Sequence, residues 1–359
     1  MKLGFGLYRH MLDEQHYKFA RQCGATHVVV HLVDYFGRKK NSKDKADQPI
    51  GGKEGWGRAG EEQLWTLEEL LKIKAEINAH GLQWEAIENF DPSQWHDVLL
   101  DGPKKSDQIE RLKEQIRIVG KAGIPVFGYN FSLAGVSSRI TGPFARGGAI
   151  SVGMDGVDES PVPNGMVWNM VYNPEAPEGF QPKISHEELW ARLQFFLDEL
   201  VPIAEEAGVK LAAHPDDPPM PVVRQTPRLV YQPHMYQRLI DMQPGPANNL
   251  EFCLGTISEM TEGDVYEATD KYSKQNRIAY IHCRNVKGKV PAYHEVFIDE
   301  GDIDMVKIIR ILKKNKFTGV IIPDHTPQMS CDDPWYAGMA YAMGYLKAVI
   351  SMVEKGNVS

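Results

Sequence analysis

The feature that most constrains this chain is a rhythm. Eight short apolar runs alternate with eight segments of helical period along the sequence. The runs occupy residues 3–7, 27–32, 82–88, 125–131, 210–214, 250–255, 278–283 and 319–324. The helical segments occupy 13–23, 67–80, 106–122, 186–207, 236–242, 265–273, 304–315 and 336–354. In 106–122, Ile109, Leu112, Ile116 and Val119 recur at the spacing of one helix face. Unbroken apolar stretches such as "VVV", "VKLAA" and "GVII" suit parallel strands covered on both sides. Alternation of this kind predicts an α/β fold with a parallel sheet, and the count of eight predicts a closed (β/α)8 TIM barrel. A dinucleotide-binding fold would need GxGxxG after its first strand, and "GFGLYRH" does not supply it.

The connections are unequal, and that locates the working end. Links from helix to strand are as short as "GL" at 81–82 and "GI" at 123–124. Links from strand to helix are long: 33–66, 132–184, 215–235, 285–303 and 325–335. Long loops in a compact domain are usually functional. In a barrel they gather on the carboxyl-terminal face, where active sites sit. The chain is expected to form one catalytic domain over 1–359, with inserts at about 33–66 and 132–184. The second insert has room for short helices or a hairpin that caps the site.

Charge and cysteine usage narrow the function. The net charge is −8, and the one basic block, "GRKKNSKDK" at 37–45, is soon followed by acidic residues, so nucleic acid is not an expected partner. No apolar run approaches the roughly 18 residues of a membrane span. The opening "MKLGFGLYRHMLDEQ" lacks the apolar core of a signal peptide. Cys23, Cys253, Cys283 and Cys331 form no CxxC pair, which fits a reducing cytoplasm. The expected partner is a small molecule, and a homo-oligomer is compatible with the sequence.

Four residues end the last four strands: His214 ("LAAHP"), Cys253 ("EFCLG"), His282 ("YIHCR") and Asp324 ("IIPDH"). Singly, each has an ordinary explanation: a bonded core histidine, a small apolar cysteine, a turn-forming aspartate. At corresponding positions of consecutive barrel strands they become neighbours on one rim, and they point to a divalent metal. Thiolate and imidazole favour zinc or ferrous iron, whereas a carboxylate and open positions suit manganese.

In this order "HPDDPP", "FCLGT", "HCRNV" and "PDH" resemble the mannonate dehydratase family, with weaker support from "YNF" at 129–131 and "GMAYAMGYLKAVI". The resemblance implies a xylose-isomerase-like barrel that converts D-mannonate to 2-keto-3-deoxy-D-gluconate and water. It also implies Mn2+ or Fe2+ bound by His214, Cys253, His282 and Asp324. Such a reaction needs one group to take the C2 proton and another to help hydroxide leave C3. His325, directly after Asp324, and Tyr336 in "WYAG" are the catalytic candidates. Arg9, His31, Asn130, Arg284 and Asn285 are candidate grips on a sugar acid, since they follow or end rim strands and arginine matches a carboxylate. Asp216 and Asp217 are expected to brace the loop that carries His214.

The resemblance has departures. The family's "DHGR"-like run after the last strand reads "DHTPQM", and strand two offers His31 where well-known members have two histidines. Arg139 and Arg146 are candidates to replace the absent cation. A sugar isomerase or epimerase on the same barrel is the alternative, with Glu85 and Glu88 as paired bases; dehydration of a different sugar acid is another. A non-catalytic sugar-binding barrel is a third, against which all four ligand positions are kept.

Overall fold

The computed structural model describes residues 1–36, 55–60 and 62–356. Eight strands form the barrel: β1 (Lys2–Tyr8), β2 (His27–His31), β3 (Gln83–Ile87), β4 (Val126–Tyr129), β5 (Lys210–Ala213), β6 (Asn248–Cys253), β7 (Ile278–His282) and β8 (Val320–Ile322). They close in the order β1-β8-β7-β6-β5-β4-β3-β2, every neighbouring pair parallel. The expected (β/α)8 architecture is therefore present. The basic block 37–45 lies outside the described residues, as does most of the first insert.

The helices follow from local rules. The helix Met305–Lys314 buries Met305, Ile308, Ile309 and Leu312 on one face, and its N-cap Asp304 accepts from the Lys307 amide. Burying each such side chain contributes about 1.5–3 kcal/mol. The helix His186–Ala207 starts in a capping box of Ser185 and Glu188. It stops at Gly208, whose φ of 69° lies in the left-handed region.

Two helices depart from the sequence reading. Pro92–Leu100 begins with Asp91 as cap and Pro92 in the first turn, a legible start signal on a segment too short for a clear period. Leu254–Glu259 begins directly after Cys253, so β6 ends there and does not run to Gly255.

The loops after β4 and β7 meet above the barrel. Residues 285–289, 292–296, 149–155 and 140–145 form, in that spatial order, a four-stranded antiparallel sheet. Met154, Val286, Val290 and Tyr293 pack together within it. The expected hairpin in the second insert exists, and half of its sheet comes from a different loop.

Candidate active site

Register explains how distant residues meet. Cys253 and His282 are paired neighbours on β6 and β7, and His282 pairs with Ile322 on β8. His214 follows β5, and its amide continues the ladder by donating to the Tyr129 carbonyl at 2.8 Å. One ligand atom from each of His214, Cys253 and His282 lies within 4.8 Å of the others. Asp324 stands beside them, with Oδ2 3.6 Å from His282 Nδ1.

These residues fit a divalent cation. Burial pushes the Cys253 thiol up, but the Arg284 guanidinium and the imidazoles of His214 and His282 outweigh it and hold the thiol well below its ordinary range. A thiolate is the form that binds metal. His214 Nδ1 contacts the Pro215 carbonyl at 2.7 Å, which leaves Nε2 as the atom available to a metal. Both ring nitrogens of His282 are buried and make no hydrogen bond among the described residues. Buried polar atoms left in that state call for an ion or a water.

Behind these candidate ligands lies a charged brace. Arg284 donates to Glu259 at 2.6 Å and to Asp217 at 2.8 Å. Arg139 donates to the same Asp217 oxygen at 3.1 Å. Burial raises the Asp217 carboxyl, and the two guanidiniums more than reverse it. Asp216 accepts from the Leu229 and Val230 amides. Both aspartates therefore brace the His214 loop.

The sequence profile described as D-mannonate dehydratase (UxuA) matches residues 20–141 and 177–358. The chain belongs to the mannonate dehydratase family. It is thereby a hydro-lyase of a metal-dependent family. The mannonate dehydratase of Streptococcus equi subsp. zooepidemicus is 33% identical over 276 residues, 73% of this chain and 75% of that one. The crystal structure of mannonate dehydratase from Streptococcus suis serotype 2 matches with a TM-score of 0.77 at 26% identity, covering 99% of this chain and 96% of that one. D-psicose 3-epimerase from Clostridium cellulolyticum H10 matches at a TM-score of 0.55 and 11% identity over 99% of both chains, a likeness of fold alone.

Against the mannonate dehydratase expectation, the other candidate residues divide. His31, Asn130 and His325 line the pocket over the ligand cluster. His325 Nδ1 lies 2.8 Å from Glu295 Oε2, and its Nε2 lies 3.1 Å from Asp324 Oδ2. Burial opposes the charge of His325, but Asp324 and Glu295 outweigh it and carry the imidazole up to about 10. Asn130 donates to the Pro215 carbonyl at 3.1 Å and accepts from Trp168 Nε1 at 3.0 Å.

Arg9, Arg284, Asn285 and Tyr336 do not line this pocket. Arg9 leaves the rim in a short helical turn, donates to the Leu32 carbonyl and pairs with Glu69. Arg284 is consumed by the carboxylates of the brace. Asn285 donates to the Ile298 and Ile303 carbonyls and so pins its own loop. Tyr336 Oη accepts from Gln15 at 2.9 Å and lies 3.2 Å from His16 Nε2, between outer helices. Of the two substitute cations, Arg139 lines the pocket, whereas Arg146 pairs with Asp299 on an exposed surface. Glu85 pairs with Lys2 and His27 at the starts of β1 and β2, the far end of the barrel, so the paired bases of an isomerase are not assembled.

Sequence reasoning missed Tyr8, Tyr35, Trp56 and Trp168, which form an aromatic wall of the pocket. They come from irregular loops or a strand end and carry no periodic signal. It also missed Glu251. That one was legible, because a residue two before Cys253 on the same strand points into the same interior.

Proposed function

We propose that this protein dehydrates D-mannonate to 2-keto-3-deoxy-D-gluconate, with Mn2+ or Fe2+ held by His214, Cys253, His282 and Asp324. The observation that carries the reading is the convergence of two imidazoles and a thiolate within 4.8 Å in a chain of this family. When bound, the cation supplies Lewis acidity against the charge that builds beside the substrate carboxylate as C2 loses its proton.

The chain's own residues do the rest. His325, held between Glu295 and Asp324, holds and moves a proton at Nε2. Arg139 offers a cation to the substrate carboxylate in place of the arginine that "DHTPQM" lacks. His31 and Asn130 orient hydroxyls. Tyr35, Trp56 and Trp168 pack edge to face or tilted against one another at 5.2–5.7 Å between ring centres and exclude water from one side. Residues 1–359 act as one catalytic domain. The described cysteines are all free, and a site thiolate suits the reducing cytoplasm.

The test is to incubate the purified protein with D-mannonate and Mn2+ and to follow products by mass. Loss of one water and a 2-keto-3-deoxy product supports the reading. A product of unchanged mass makes the protein an isomerase or epimerase, and bound but unconverted D-mannonate makes it a sugar-acid-binding barrel.

A further inference from the structure

We propose that Glu88 and Glu251 are positioning residues for the metal centre: from below, they accept the hydrogen bond of His282 Nε2–H and so present Nδ1 toward Asp324. The inference rests on the metal centre proposed above and goes beyond its ligands.

An interior of this kind is ordinarily filled by branched aliphatic side chains. Here it holds two carboxylates. Glu251 is fully buried and Glu88 is 5% exposed. One oxygen of each lies within 4.8 Å of the other and of a His282 nitrogen. Desolvating two carboxylates is costly unless they are paired. Among the described residues, neither oxygen of Glu251 makes a well-formed hydrogen bond, and Glu88 Oε2 makes none.

His282 Nε2 lies 3.3 Å from Glu88 Oε2 and 3.4 Å from Glu251 Oε1. The angles fall short of a hydrogen bond, and among the described residues none of the three atoms has another hydrogen bond to give up. A small rotation of the ring or the carboxylates completes the bond. Nδ1 faces the opposite way, 3.6 Å from Asp324 Oδ2. A histidine that ligates metal through one nitrogen commonly donates the other N–H to a carboxylate, which fixes its tautomer.

The backbone is shaped for this layer. Glu251 pairs with Tyr280, and Cys253 pairs with His282, so Glu251 sits one layer beneath the ligands. Gly128 on β4 leaves it room: a Cβ there would lie 2.6 Å from Glu251 Oε2 and 2.7 Å from Tyr280 Oη. The pair also reaches the flanking imidazoles. Glu88 Oε2 is 3.6 Å from His31 Nε2, and Glu251 Oε1 is 4.0 Å from His214 Nε2.

The experiment compares the full-length wild type with E88Q, E251Q and the double variant E88M/E251M. Glutamine keeps an acceptor and methionine removes it. Chelator competition gives the Mn2+ dissociation constant. Long-range 1H–15N spectra of the Zn2+-loaded protein, zinc serving as a diamagnetic probe, report which nitrogen of His282 carries the proton. We expect Nε2–H in the wild type, a loss of Mn2+ affinity of about 10–100-fold in the methionine variant, and smaller losses with glutamine. A folded methionine variant with wild-type affinity overturns the proposal, as does a wild-type His282 protonated at Nδ1. If the methionine variant does not fold, the glutamine variants and the wild-type spectrum still decide. If the wild type takes up no metal, the metal reading falls, and spectra of the metal-free protein at alkaline pH decide the positioning role alone.

Discussion

Glu295 Oε2 lies 2.8 Å from His325 Nδ1, so a residue of the overlying antiparallel sheet holds a residue three positions beyond the last barrel strand. The expectation is that His325→Ala lowers kcat by about 100- to 10,000-fold. Glu295→Gln keeps an acceptor and should lose less. Steady-state kinetics with metal content measured in parallel checks this, and metal content should not change in either variant.

Metal removal should be visible in stability as well as activity. Ligation of the folded state alone adds about 2.7 kcal/mol at a hundredfold excess over Kd. Dialysis against chelator should therefore lower Tm, and Mn2+ should restore it. His214→Ala should contain far less than the one metal per chain expected of the wild type. Elemental analysis and thermal melts read both, and a well-folded His214→Ala with full metal content would discard the proposed ligand set.

Arg139 is expected to act on substrate binding. Removing a charged hydrogen-bond partner costs about 1.5–3 kcal/mol, or roughly 10- to 100-fold in kcat/KM. Arg139→Met should raise KM for D-mannonate more than it lowers kcat. Asp217 keeps Arg284 at 2.8 Å, so the brace survives the change. Equal loss in kcat with KM unchanged would move Arg139 out of substrate recognition.

A control lies at the other end of the barrel. Gly208 closes a helix at a φ of 69°, and a Cβ there meets nothing within 4 Å among the described residues. Gly208→Ala should therefore cost about 1–2 kcal/mol through backbone strain alone. Urea unfolding should register that loss, while kcat and metal content stay at wild-type values.

What the sequence revealed follows from the range over which each feature is encoded. Strands and helices carry their period locally, so the barrel was legible from runs such as 278–283 and 304–315. Barrel closure then converts order along the chain into adjacency, which made His214, Cys253, His282 and Asp324 recognisable as neighbours. Arg284 and Asn285 follow the candidate ligand His282 in sequence, but β7 has ended at His282 and their side chains turn back into brace and loop. Glu295 and Arg139 gave no signal as a pair. They meet because residues 149–155 align with 292–296, a pairing between loops that no local pattern announces.

That pairing ties the two excursions into one hydrogen-bonded canopy. Neither can be trimmed or lengthened without leaving the other an unmatched edge. Changes in what the pocket accepts should thus arise as coordinated edits to both excursions, while the barrel beneath stays as it is.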